Sequence, residues 1–565
     1  MRVVIVGAVA GGASAAARAR RLDESAEITL IERGEAPSFA NCGLPYFVGG
    51  VIESRNKLLV TPTQRLIDRY KLDVRTRTEA LAIDRRAKTV TVSKLDTDEV
   101  ETLSYDKLIL SPGASPLRPP FPGADLPTVF TLRDLKDADQ LHAAAAGAKR
   151  AVIIGGGFIG LEMTENLVHR GLDVSVVELA PQILPPWDAE MVAPVADHLR
   201  SRGVKLHLGD AAEAIEEVDE GGVRVKLRSG ESLEADFVVL SIGVRPENKL
   251  AVDAGLEIGP RGGIVVNRNM QTSDPDVYAV GDAVQVNHFI DGSPVQIPLG
   301  GPANRQGRIA ADHVFGRDSE YRGTQGTAVV GVFDMTATMT GFSEKALAAA
   351  GIPHLKAYVH PGNHAGYYPG AQGMTLKLLF APDTGRILGA EAVGGAGVDK
   401  RIDVLAVAIQ AGMTVYDLEE MELAYAPQYG SAKDPVNMAG FVASGILRGD
   451  QPVVHSATLV GTAPGGAGEG AGYLPPAGPD RFLLDVRTPE EFHQGHIFGA
   501  KNIPIDELRG RLDELPRDKP ITAYCQVGMR GYLATRVLLQ NGFDAANLSG
   551  GYKTYQQHAS ATSAS

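Results

Sequence analysis

Residues 150–171 read RAVIIGGGFIGLEMTENLVHRG, and the fold can be read outward from them. The apolar run from Ala151 to Ile154 predicts a buried strand, and the apolar spacing after Gly157 predicts a helix. Between them Gly155, Gly157 and Gly160 form a complete G-x-G-x-x-G turn. A second strand, DVSVVE, closes the unit at Glu178. In such a unit the glycines let the backbone approach a pyrophosphate at the helix N-terminus, and the terminal acid accepts from a ribose hydroxyl. Glycine-rich turns also serve close helix–sheet packing. The strand, helix and acid in order favour dinucleotide binding over that reading.

The same plan opens the chain. MRVVIVGAVAGGASAAARARRL is followed by EITLIE, which ends at Glu32, but Val9 stands where the middle glycine belongs between Gly7 and Gly12. Two further stretches link the copies: YDKLILSPGASP from Tyr105 and SDPDVYAVGDA from Ser273 both read as strands leaving through tight turns. A carboxylate at Glu178 suits a free 2′-hydroxyl and repels a 2′-phosphate, so NADH is favoured over NADPH.

With these motifs the chain resembles the two-dinucleotide flavoproteins of the pyridine nucleotide-disulfide oxidoreductase family. The resemblance implies a FAD fold interrupted by a NAD fold. Gly7, Gly11, Gly12, Glu32 and Arg33 would then hold the adenosine end of FAD, and Gly281 with Asp282 its ribityl chain. Pro298 and Ala303, at the helix opening in PLGGPANRQGR, would lie near the ring, with the positive helix end favouring negative charge there. Gly155, Gly157, Gly160 and Glu178 would bind NADH.

Composition narrows the partners. At roughly 100 to 200 residues per domain, 565 residues make three or four domains. A formal charge of -13 without a Lys/Arg-rich tract argues against nucleic-acid or anionic-membrane partners and for small molecules. Two cysteines give no disulfide framework, and no Cys/His cluster has metal spacing, so no metal is expected. His493 and His496 in HQGHI read as loop-packing residues. The N-terminus runs straight into a strand, with no leader and no membrane-length apolar window, so a cytoplasmic protein is expected.

The first cysteine, Cys42, stands alone in SFANCGLPYFVGG. Family members with disulfide chemistry mostly carry two cysteines a few residues apart beside the flavin. A single thiol cannot close an internal disulfide, so its oxidised form must be a mixed disulfide, a persulfide or a sulfenic acid. The segment resembles the single-cysteine branch, which includes coenzyme A-disulfide reductases and NADH oxidases or peroxidases. Against burial as a structural cysteine, Asn-Cys-Gly-Leu-Pro matches no core element; the thiol is placed at a helix start, where its pKa would fall.

Further on, AYAPQYGSAKDPVNMAGF, Ala424 to Phe441, resembles the dimerisation domain of coenzyme A-disulfide reductases. That resemblance implies a homodimer in which Tyr367 and Tyr425 bring phenols to the other subunit's Cys42, as proton donors to a departing thiolate. It also implies coenzyme A contacts: Arg18, Arg21 and Lys433 at phosphates, Ser14 nearby, and Ser38, Phe39 and Asn41 along the pantetheine arm.

After Asp450 a Gly/Ala/Pro-rich stretch reads as a linker. Beyond it DVRTPEEF, GHIFGAKNIP and CQVGMRG resemble a single rhodanese domain. Cys525 ends a strand and begins a loop whose backbone N–H groups and following helix would hold an anionic sulfur, with Arg530 adding charge. The short ring, with Arg530 five residues after Cys525, suits a persulfide sulfur better than a phosphate.

The expected architecture is α/β: two Rossmann-like dinucleotide domains, an α+β dimerisation domain and a C-terminal α/β rhodanese domain. The expected boundaries are 1–117 and 244–325 for the FAD domain, 118–243 for NAD, 326–452 for dimerisation, 453–478 for the linker and 479–565 for rhodanese. The expected activity is NADH-dependent reduction of persulfide, polysulfide or coenzyme A disulfide at Cys42, with sulfane sulfur handled at Cys525. An NADH oxidase cycling Cys42 through sulfenic acid, and a redox or sulfur sensor, are the alternatives.

Overall fold

Both glycine-rich units form parallel strand–turn–helix repeats in the computed structural model, which describes residues 1–218, 221–460 and 481–563. The chain divides into two units, Met1–Val177 with Asp210–Gln325, and Glu178–Gly209 with Gly326–Ser565.

In the first unit a five-stranded sheet runs Val277–Ala279, Lys107–Leu110, Arg2–Val6, Glu27–Ile31, Asp73–Arg75, with every pair parallel. Residues 3–6 and 108–110, at its centre, are apolar and buried because both faces are covered, as parallel sheets require. Val277–Ala279 comes from far downstream, so the first dinucleotide fold is completed only after the second has been inserted. That second fold places Arg150–Ile154 between Asp173–Glu178 and Phe237–Leu240, again parallel, with Val129–Phe130 beyond. Each fold carries an antiparallel three-stranded sheet, Thr78–Asp84 to Glu99–Ser104 in one and Ala212–Glu217 to Ser232–Ala235 in the other.

The second unit holds a five-stranded antiparallel sheet in the order Ala328–Val332, Met335–Gly341, Ile387–Gly394, Met374–Phe380, Leu355–Val359. Ile387–Gly394 and Met374–Phe380 are buried at every position. Helices Ala189–Ser201, Val398–Gln410 and Pro435–Leu447 pack on this sheet. Lys377 is fully buried among Asp188, Glu190 and Glu344, at 2.8, 2.5 and 2.6 Å. These three carboxylates lie close enough together to suit a cation, and the ammonium already fills that part.

The last sheet is parallel, in the order Val453–Val454, Ala545–Leu548, Ile521–Tyr524, Phe482–Asp485, Lys501–Asn502. The expected linker, 453–478, therefore starts too early: Val453–Val454 is an edge strand of this module and Ala457–Val460 a short helix. Residues 461–478 of that stretch lie outside the described residues. The final helix, Gly551–Ser563, packs on Ala189–Ser201 within the same unit, where Ser560 Oγ donates to Asp197 at 2.9 Å. His360 Nε2 and Thr554 Oγ1 meet at 2.7 Å in the same seam.

Candidate active site

The glycine positions divide by what each must do. Gly7 has φ +93°, and a Cβ there would stand 2.0 Å from the Ser111 carbonyl oxygen. At Gly12 a Cβ would meet the Gly7 oxygen at 1.8 Å, and at Gly160 the Gly155 oxygen at 1.9 Å, so these glycines close the helix onto the strand turn. Gly157 has a negative φ and nothing within 4 Å, which leaves its side open to a phosphate. Val9, at the matching position of the first copy, also has a negative φ of -93°. The middle position thus requires no left-handed backbone, and valine is accommodated there.

Glu32 holds the first turn together. Its Oε2 accepts from Ala8 N at 2.9 Å and its Oε1 from Gly34 N at 2.7 Å. The Ala8 carbonyl accepts from Ser38 N at 2.7 Å, which fastens the segment leading to Cys42 onto the glycine turn. Ser38 itself adopts φ +53°, a conformation uncommon outside glycine that marks a constrained approach to the thiol. Arg33 is exposed and pairs with Glu79 at 3.5 Å.

On the same sheet, Gly281 has φ +83° and donates its N–H to Gln306 at 2.8 Å. Asp282 follows it, and its carboxylate has no hydrogen-bond partner among the described residues; burial raises its pKa. A half-buried acceptor without a donor is costly unless a ligand supplies one. The helix Gly300–Val314 starts beside it, with Pro298 just ahead, Ala303 buried, and open space at Gly300 and Gly301. Gly307 lets this helix touch the first one, since a Cβ there would lie 2.1 Å from the Gly11 oxygen.

Cys42 is exposed, in the short turn Asn41–Gly43 ahead of the helix Leu44–Val48. The expected lowering of its pKa is not found. The protein packed around it raises the pKa, and the charges of Glu162 and Asp282 raise it further. A helix of five residues has too little dipole to oppose two carboxylates. Tyr46, on that helix, donates to Glu162 Oε1 at 3.4 Å. Burial, with Glu165 adding, pushes Glu162 up to about 7 despite this bond, and burial and Glu162 push Tyr46 to about 12. Neither residue was singled out from the sequence, where Glu162 is merely the second residue after the glycine motif.

The coenzyme A candidates separate by pairing. Arg18 is engaged by Asp312, with Nη2 at 2.6 Å, and Ser14 donates to Asn304 at 2.5 Å. Arg21 and Lys433 are exposed and have no side-chain partner among the described residues. Phe39 forms a bridge with Leu59, and Asn41 is exposed beside the thiol. In the second unit the hydroxyls of Tyr367 and Tyr425 lie 2.8 Å apart, both exposed. Glu178, at the end of its strand, accepts from Ala180 N at 2.8 Å.

Cys525 is buried, and its Sγ accepts from Gly528 N at 3.2 Å. Gly528, at φ +102°, lets the loop curl back onto the sulfur before the helix Met529–Gln540 begins. Gly551 closes the far side, where a Cβ would lie 2.3 Å from the Cys525 oxygen. Arg530 forms a two-point pair with Glu491, 2.7 Å at each contact, and its charge also acts on Cys525. Glu491 was missed in the sequence, although Thr-Pro-Glu-Glu there is a capping box. His493 and His496 meet the carbonyls of Pro489 and Phe492, and His496 stacks on Phe492 with centroids 3.8 Å apart.

Known families reproduce this division. The profile described as pyridine nucleotide-disulphide oxidoreductase matches residues 1–307, its dimerisation domain 327–434, and the rhodanese-like domain 475–558. The chain belongs to the pyridine nucleotide-disulphide oxidoreductases. It is an oxidoreductase with a dimerisation domain and an appended rhodanese-like domain. The coenzyme A disulfide reductase of Staphylococcus epidermidis is 37% identical over 445 residues, 78% of this chain and 99% of that one. Reduced Bacillus anthracis CoADR-RHD has TM-score 0.93 and 47% identity, covering 98% of each chain. A NAD-dependent persulfide reductase from A. fulgidus has TM-score 0.90 and 36% identity, covering 98% of this chain and 100% of that one. No helix among the described residues is long and apolar enough to cross a membrane.

Proposed function

We propose that this protein is an NADH-dependent flavoprotein reducing persulfide, polysulfide or coenzyme A disulfide substrates through Cys42, with sulfane sulfur handled at Cys525. One observation carries the reading: a lone exposed thiol is fastened, through Ser38, to the glycine turn of the first dinucleotide fold. The relatives named above as coenzyme A disulfide and persulfide reductases support it. The oxidase reading accounts for Cys42 and leaves the Cys525 loop without chemistry, while the sensor reading would have Cys525 stably modified and NADH turnover slow with every acceptor.

The residues fit FAD. Gly7, Gly11 and Gly12 shape a turn at a helix start, Glu32 lies at its strand end, and the unpartnered Asp282 carboxylate awaits a hydroxyl donor. Gly155, Gly157, Gly160 and Glu178 fit NADH in the same way. When bound, FAD supplies two-electron passage between NADH and sulfur. The Cys42 thiolate attacks the inner sulfur of a coenzyme A persulfide, breaks the sulfur–sulfur bond, releases hydrosulfide and enters a mixed disulfide. Its raised pKa makes the thiolate the minor form at neutral pH.

In a homodimer Tyr367 and Tyr425 reach the partner subunit's thiol and return a proton to the departing coenzyme A thiolate. Arg21 and Lys433 are the unpaired cations for its phosphates, while Arg18 acts there only by giving up Asp312. The protein is placed in the cytoplasm, where small thiols are kept reduced.

The test is anaerobic NADH oxidation with sulfide measured, offering coenzyme A persulfide, polysulfide, coenzyme A disulfide and oxygen in turn. Sulfide release lost in Cys42→Ser is the expected result; turnover on oxygen alone overturns the reading.

A further inference from the structure

Around Cys525 the charges are not those its sequence suggests. Arg530 spends both terminal nitrogens on Glu491, and that pairing holds Glu491 at about 2, so the acid is ionised throughout the neutral range. Arg487 is paired with Asp485 through Nη2 at 2.6 Å, and its Nη1 donates to Gln526 Oε1 at 3.2 Å. Both guanidiniums bordering the loop are therefore ion-paired, although Arg530 also interacts with Cys525. Lys553 donates its backbone N–H to the Gln526 oxygen, but its ammonium acts on His360.

The other loop side chains, Gln526, Val527 and Met529, carry no charge. Val527 is 40% exposed, Met529 53% and Leu533 48%, and Met529 and Leu533 lie one helical turn apart on one face. The mouth is thus rimmed by an apolar strip. Once Cys525 is a thiolate, it and the Arg530–Glu491 pair sum to one negative charge. The helix N-terminus offsets only about half a charge.

We infer that Glu491, Val527 and Met529 set the donor specificity of the Cys525 loop: it takes sulfane sulfur from organic persulfides with an apolar stem and excludes sulfonate donors such as thiosulfate. This rests on the proposed sulfur-carrying role of Cys525. The Cys525 thiolate attacks the outer sulfur of R–S–SH. A bond forms from Sγ to that sulfur, the donor's sulfur–sulfur bond breaks, and RS⁻ leaves as RSH with the donor's own proton. A thiosulfate dianion meets the ionised Glu491 and two guanidiniums already paired with carboxylates, beside an apolar rim.

The test uses the full-length holoenzyme as Cys42→Ser, in which Cys525 is the one remaining thiol. Intact-mass measurement follows gain of one sulfur atom from pantetheine persulfide or from thiosulfate at equal concentration. Loading from thiosulfate is expected to be slower by about tenfold or more, and Glu491→Gln to recover about tenfold by freeing Arg530. Met529→Lys, which leaves the capping box untouched, is expected to do the same. Equal loading of the unsubstituted loop by both donors, or no gain with thiosulfate in either variant, overturns the inference. Loading by neither donor overturns instead the carrier role beneath it.

Discussion

The Tyr46 hydroxyl donates to Glu162 at 3.4 Å and ties the helix after Cys42 to the helix that opens at Gly157. Glu162, on the second glycine-rich fold, thereby adds to the burial that disfavours the thiolate.

Replacing Glu162 tests that coupling. After burial, Glu162 is the next cause of the raised Cys42 pKa. A negative neighbour disfavours the thiolate, so Glu162→Gln should lower the Cys42 pKa. Alkylation rate against pH, measured on a Cys525→Ser background, should shift toward acid. An unshifted profile would exclude electrostatic control by Glu162.

The paired phenols make a second prediction. The hydroxyls of Tyr367 and Tyr425 lie 2.8 Å apart and the bond to Tyr425 raises the Tyr367 pKa; on the proposed reading the pair serves as one proton path. Tyr367→Phe and Tyr425→Phe should each lower kcat for coenzyme A disulfide by about a hundredfold. The double variant should cost little more than either alone, because partners in one path are not additive. Independent, multiplying losses would show that the two act separately.

How far these features were legible depends on what encodes them. Gly7, Gly12 and Gly160 were readable because backbone contact leaves no room for a Cβ, which writes glycine into the sequence at fixed spacing. Cys525 was readable for a similar reason, since its loop is a local structure. The charge around Cys42 was not: Glu162 and Asp282 reach it from distant segments, and local helix logic gave the wrong sign. Val453–Val454 was read as linker because only its pairing with Asn547 and Leu548 makes it a strand.

The seam holding the last module gives the protein an acid limit. His360 and His455 are pushed down to about 3 by burial, and His558 is lowered by burial as well. Groups whose folded pKa lies below the unfolded value bind protons preferentially when unfolded, so their contribution is present above about 6.5 and falls as pH drops toward 3. At pH 5 His360 and His455 should each cost about 2 kcal/mol relative to pH 7.5. Thermal unfolding across that range should show a falling midpoint, reduced in slope by His360→Asn. A midpoint independent of pH would mean that these rings are already solvated.

Gly157 and Gly160 separate folding from cofactor binding within one motif. A Cβ at Gly160 meets the Gly155 oxygen at 1.9 Å, so Gly160→Ala must push helix and strand apart. Its cost should be about 1 to 3 kcal/mol, read from urea unfolding. Gly157 has open space in front of it, so Gly157→Ala should unfold at the same urea concentration as the unsubstituted protein. Its methyl instead occupies the approach to the pyrophosphate. The KM for NADH should therefore rise in Gly157→Ala while flavin content stays unchanged. An unchanged KM would place the pyrophosphate elsewhere, and lost flavin would show that the two dinucleotide folds do not divide the cofactors as their glycines indicate.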